Sequence, residues 1–261
     1  MSLPGFVAST FTHDGTSRTV YRRGSGPGVV IMPEIPGITP PVALFAERVA
    51  AAGFTAFVAS LFGTPGKPAT AAYGAAEIAR ACVSREFSVL AADASSPITD
   101  WLRALCRQVH GELGGKGVGA IGMCLTGNFA LALMVEPVVV APVLSQPSLP
   151  FGITPERRAG LHLSPADLAV VKERVAAGCP VLGLRFTGDP AVPPERFARL
   201  RTELGAGFEG IEIDSSFGNP HGIKRTAHSV VTSDLIDVEG HPTQRALQRV
   251  LSFFQERLGG V

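Results

Sequence analysis

The sequence predicts an α/β protein: a single domain over residues 1–261, built on a doubly wound, mostly parallel sheet with helices on both faces. Three observations carry this. Short continuous apolar runs alternate with segments of helical apolar spacing, the pattern of successive βαβ units. The 30 glycines and 21 prolines imply many turns and show no collagen-like period. No internal repeat and no linker interrupts the alternation.

Gly28 to Met32 (GVVIM) is a continuous apolar run and reads as a buried strand. Thr39 then supplies an N-cap, Pro40 and Pro41 suit a first turn, and Val42 to Ala52 carries helical spacing before Gly53. A strand over 54–62, a Pro/Gly loop over 63–68, an Ala-rich helical region over 70–92 and a helix over Ile98 to Leu113 follow. GVGAIGM (117–123) is a strand leading into Cys124, with a helix from Thr126 to Val135 behind it. Val138 to Leu144 is a strand, and a Pro-rich loop runs to residue 163. Ser164 with Asp167 forms a capping box for a helix ending near Gly178. A strand over 180–189, a helix over 192–204, a strand over 208–216 and a closing amphipathic helix from Thr243 to Leu258 complete the chain.

With 46% apolar and 17% charged residues the chain is not disordered, and 23 basic against 22 acidic residues leave no surplus for nucleic acid or an anionic membrane. The longest apolar run, Phe129 to Leu144, is broken by Glu136, Pro137 and Pro142, so no membrane span is expected. The first residues lack a basic segment followed by an apolar one, which makes the cytoplasm the expected compartment. Cys82, Cys106, Cys124 and Cys179 are scattered, with no CxxC pair. Neither a metal site nor a disulfide framework is expected, and at most one of the four is expected to do chemistry.

That one is Cys124. In Gly122-Met123-Cys124-Leu125-Thr126-Gly127 it stands between a strand and a helix, where a sharp turn lifts a nucleophile into the open and a helix N-terminus favours a thiolate. Asp189, in Gly188-Asp189-Pro190, follows a strand and can orient a histidine. Two histidines come after the last strand. His221 lies 32 residues beyond Asp189; His228 lies 25 residues before Phe253 in the closing helix. His228 is preferred as the base and His221 is the alternative, because Gly218-Asn219-Pro220 reads as an inserted turn. A nucleophile, an acid and a histidine in this order, each just after a strand, match the α/β-hydrolases.

Over about residues 28 to 258 the sequence resembles the dienelactone hydrolases. Pro33-Glu34-Ile35-Pro36-Gly37 resembles the glutamate segment of that family, GMCLTG its cysteine elbow with Thr126 in place of a glycine, GDPAVP its acid turn, and the late histidines its final motif. The resemblance implies an α/β-hydrolase fold and hydrolysis of a small ester or enol-lactone without cofactor or metal. The catalytic set would be Cys124, His228, Asp189 and Glu34, with backbone N–H groups of Leu125 and Ile35 as the oxyanion hole. In the family the glutamate is thought to contact the resting thiol, and that role passes to Glu34. As a loop carboxylate Glu34 is expected to bear little on stability. The expected partner is a small-molecule substrate, for a monomer or small homo-oligomer. Arg22, Arg23, Arg80, Arg85, Lys224 and Arg225 are candidates to bind a substrate carboxylate, and Phe62, Tyr73, Phe151 and Phe217 to line a pocket. An esterase or thioesterase with another acyl substrate, and a binding protein with a vestigial elbow, are the alternative functions.

Overall fold

The computed structural model describes residues 3–84, 86–87 and 95–259. Its strands are β1 (Val7–His13), β2 (Thr16–Gly24), β3 (Gly28–Met32), β4 (Thr55–Ala59), β5 (Val118–Met123), β6 (Val139–Ser145), β7 (Val181–Phe186) and β8 (Phe208–Ile213). They form one sheet in the order β1-β2-β4-β3-β5-β6-β7-β8. The β1–β2 hairpin is antiparallel and joins β4 antiparallel; the remaining pairs are parallel.

Every residue of β3, β4 and β5 is buried, which is why these strands read as unbroken apolar runs instead of alternating ones. Successive side chains nevertheless point to opposite faces and feed two cores. Val29, Ile31 and Ile121 pack under α1 (Pro40–Ala51) and α8 (Pro242–Leu258) through Phe45, Val49, Phe253 and Phe254. Val30, Ala120 and Leu144 face the other side, where α3 (Ile98–Leu113), α4 (Phe129–Leu133), α6 (Pro165–Ala176) and α7 (Pro194–Leu204) contribute Leu102, Phe129, Val171 and Phe197. Two further helices, α2 (Ala71–Val83) and the short α5 (Pro155–Ala159), belong to the connections beyond the strands' carboxyl ends. Among the described residues no helix is long and apolar enough to cross a membrane.

Several elements differ from the sequence reading. The β1–β2 hairpin was not foreseen; most of β1 is exposed, so VASTFTH gives neither an apolar run nor a clean alternation. β4, β7 and β8 stop at Ala59, Phe186 and Ile213, short of the apolar and turn residues that extended their patterns. The helix after Cys124 is split into a 3-10 turn, Cys124–Thr126, and α4. Within the expected Pro-rich loop, Thr154 accepts a hydrogen bond from Arg157 N (3.3 Å) and caps α5. The capping box at Ser164 is half formed. Ser164 Oγ accepts from Asp167 N (3.1 Å), while Asp167 turns to Arg103 (2.9 Å). The Ala-rich helix ends at Val83, and the rest of that segment, from 88 to 92, lies outside the described residues.

From β3 the chain moves outward to β4 and then crosses back to β5 on the opposite side of β3. The carboxyl ends of β3 and β5 therefore border the crevice where a doubly wound sheet holds its ligands. Glu34 follows one of these strands and Cys124 the other.

Candidate active site

Cys124 has φ +56°, the left-handed conformation of a strained strand-to-helix elbow. The flanking glycines show what the turn requires. A Cβ at Gly122 would stand 2.0 Å from Thr126 O, and one at Gly127 would stand 2.4 Å from Pro147 Cα. Position 126 makes no such demand. Thr126 is buried and its hydroxyl ties the turn together: Oγ1 accepts from Met123 N (2.9 Å) and has Met32 O at 2.9 Å as an acceptor. A side chain thus replaces the glycine of the resembled motif and links the elbow to the end of β3. The Cys124 carbonyl accepts from Gly127 N and Ser148 N, each at 2.9 Å, and Ser148 Oγ lies 3.6 Å from Cys124 Sγ.

The loop after β8 brings His228 over the elbow. His228 Nδ1 is 2.6 Å from Asp189 Oδ2, whose other oxygen accepts from Ala191 N at 2.9 Å, so the buried carboxylate is fixed before it orients the ring. Burial opposes a charge on this imidazole. Cys124 on one side and Asp189 on the other outweigh it and hold the His228 pKa well above the usual histidine range. The loop is itself anchored, because Asp234 Oδ2 accepts from His228 N (2.8 Å) and Ser229 N (2.9 Å). His221 is exposed beside the His241 ring, 5.4 Å between centroids, and the structure does not bring it to Asp189.

Glu34 is a buried carboxylate, 4% exposed, and not a solvated loop residue. Its acceptors are taken by Gln146 Nε2 (3.1 Å), Ser229 Oγ (2.6 Å) and Thr232 Oγ1 (2.6 Å). Among the described residues these hydrogen bonds run to the histidine loop and Gln146, and none runs to the Cys124 thiol. Gln146 completes the link, since its Oε1 accepts from Val230 N at 3.4 Å. The sequence reading passed over Ser229, Thr232 and Gln146. Ser229 adjoins the base, which was the one local hint; Gln146 and Thr232 are distant in sequence, and only the fold brings them to Glu34.

A cavity of about 360 Å³ opens at this point, lined by Cys124, His228, Asp189, Ser148, Ile35 and Leu125 among others. Of the four aromatic candidates, Phe151 lines it. Phe62 is buried against Phe87, Tyr73 accepts from Thr64 N, and Phe217 is 99% exposed on the far side of the turn after β8. Arg22, Arg23 and Arg80 pair with Glu112, Glu47 and Glu77; Lys224 and Arg225 are exposed; Arg85 lies outside the described residues. Cys106 and Cys179 are buried, and burial pushes both thiols up, that of Cys106 strongly. Cys82, like Cys124, is half-buried. Among the described residues no group of three or more His, Cys, Asp or Glu is arranged to hold a metal ion.

The model of the Dienelactone hydrolase family matches residues 17–258. No curated protein matches the chain. Among solved structures it is similar to a dienelactone hydrolase from Anabaena variabilis ATCC 29413, at 14% identity and TM-score 0.61, covering 97% of this chain and 98% of that one. A dienelactone hydrolase-like promiscuous phosphotriesterase from metagenomic libraries gives 20% identity and TM-score 0.63, with coverages of 97% and 98%. Esterase 2 of Thermogutta terrifontis gives 16% identity and TM-score 0.62, with coverages of 98% and 96%. Identities this low speak to the fold.

Proposed function

Since the chain belongs to the dienelactone hydrolase family and has the α/β-hydrolase fold, we propose that it hydrolyses a small ester or lactone through Cys124, His228 and Asp189. The observation that carries this reading is the imidazole of His228, held at 2.6 Å by Asp189 and flanked by Cys124 at the mouth of the cavity. His228 takes the thiol proton and stores it as imidazolium, which Asp189 stabilises. The sulfur attacks the ester carbonyl, and the backbone N–H groups of Leu125 and Ile35 receive the developing oxyanion. The imidazolium then gives its proton to the departing alkoxide, leaving an acyl-cysteine. Water, deprotonated by the same histidine, releases the acid and restores the thiol.

Glu34 acts in this scheme through the histidine loop. Its carboxylate fixes Ser229 and Thr232, which follow the base in the same loop, and so sets where the base stands. The test is Cys124→Ala, which abolishes turnover of p-nitrophenyl esters while the protein remains folded by circular dichroism. In the wild type, iodoacetamide labels Cys124 ahead of the similarly half-buried Cys82. Full activity in the alanine variant would refute the proposal.

A further inference from the structure

Resting on the hydrolase reading above, we infer that the cavity selects an uncharged, apolar acyl group and discriminates against substrates whose acyl part carries a carboxylate. The walls around the nucleophile are mainly apolar, from Ile35, Ile78, Leu125, Phe151, Pro190 and Ala191, with Ser148 and Thr226 adding two hydroxyl residues. At about 360 Å³ the space is at the small end for ligand sites and suits a short aliphatic chain. Among the described residues lining it there is no lysine or arginine; the two titratable partners, Asp189 and His228, are engaged with each other.

The surrounding charges point the same way. Three carboxylates, Glu34, Asp189 and Asp234, hydrogen-bond to the loop that bears His228, Asp189 to the imidazole itself. Two buried cations stand nearby and neither lines the cavity: Arg196 spends its N–H groups on the carbonyls of Pro147, Pro150, Arg157 and Gly160, at 2.5 to 3.0 Å, and Arg185 is paired with Glu212. A substrate carboxylate would give up water here for at most the hydroxyls of Ser148 and Thr226, with no lining cation to offset its charge, an unfavourable exchange. The tetrahedral intermediate would add a second negative charge close to it. An alkyl chain, by contrast, exchanges water for Ile78, Phe151 and Pro190 at a gain.

Two p-nitrophenyl esters of equal length separate these cases: the hexanoate and the half-ester of adipic acid. The expected ratio of kcat/KM at neutral pH is roughly 100-fold in favour of hexanoate. Ile78, 43% exposed on α2 at the cavity wall, offers a place to add the missing cation. Ile78→Arg should narrow the ratio roughly tenfold by raising turnover of the adipate. If wild type hydrolyses the adipate within fivefold of the hexanoate and Cys124→Ala loses both, the inference is overturned while the hydrolase stands. If neither ester is hydrolysed in a Cys124-dependent manner, the hydrolase reading itself fails and takes the inference with it.

Discussion

Glu34 and Arg196 are both charged, both closed off from solvent, and neither forms an ion pair among the described residues; they differ in what satisfies them. Arg196 is 0% exposed and donates to four backbone carbonyls between Pro147 and Gly160. Its planar fork matches several acceptors at once, and burial lowers its pKa only to about 10, so it stays charged near neutrality. Glu34 accepts from two hydroxyls and one side-chain amide. Carbonyls belong to the backbone and cannot turn away, whereas hydroxyls and amides can rotate to other partners. One wall of the cavity, the loop bearing Ser148 and Phe151, is thus clamped rigidly, and the other, the loop bearing His228, is held by adjustable contacts. A site that must move protons between sulfur, nitrogen and water places its adjustable contacts beside the base and its rigid ones beneath the substrate.

The strongest way to break this comparison is Arg196→Met, which fits the apolar space but orphans four carbonyls. Unfolding by urea should show a loss of about 3–5 kcal/mol, the usual cost of deleting a fully buried and satisfied charge. Arg196→Lys should recover only part of it, because an ammonium lacks the fork. A loss under ~1 kcal/mol would mean that the carbonyls find other donors and that the loop is not clamped.

Glu34→Gln keeps the shape and exchanges one acceptor for a donor, which then meets Ser229, Gln146 or Thr232. The expected loss is about 1–3 kcal/mol in the same urea experiment, well above that of a surface change. Turnover should fall at least tenfold with KM little altered, since the loop that carries His228 is released and the apolar walls are not. A changed KM at constant kcat would place Glu34 against the substrate instead.

The smallest effect sharpens the comparison electrostatically. Cys124 and Asp189 raise the His228 pKa; Glu34, capped by its own donors, is not among the causes. An NMR titration of the imidazole should therefore show a marked fall in Asp189→Asn, and in Glu34→Gln only the smaller fall that a loosened loop brings. The sign for stability follows: a raised folded pKa contributes stability that is fully present below the unfolded histidine value of about 6.5 and is lost as pH rises through the folded value. The stability gap between wild type and His228→Ala should close over that window.

Much of this was legible in the sequence because burial writes itself into composition. β3, β4 and β5 are buried on both faces and appear as apolar runs, and the topology of parallel strands places residues that follow them at one edge. Cys124 and Asp189 could be picked out on that basis, and Glu34 through the family resemblance. The β1–β2 hairpin could not, since a wet edge strand imposes no apolar pattern. The company Glu34 keeps was equally hidden. Thr232 lies 198 residues away from it and Gln146 lies 112 away, and no local signal couples a carboxylate to a hydroxyl at that distance. His228 and His221 share one loop, and spacing arguments from its two ends gave opposite answers; the contact with Asp189 separates them.

The threonine strut in the elbow bears on how such chains drift over evolutionary time. Space is forbidden to a side chain at Gly122 and Gly127 by backbone atoms that cannot yield, whereas position 126 asks only for something small that bonds to Met123 N and Met32 O. The three small positions of the motif are therefore under unequal selection. In a saturation library residues 122 and 127 should return almost only glycine, while position 126 should accept serine alongside threonine. Lineages that gain the strut become harder to leave by single steps, because reverting to glycine removes a buried hydroxyl's bonds at once. A search pattern demanding glycine there would discard the chains in which the turn is most firmly braced.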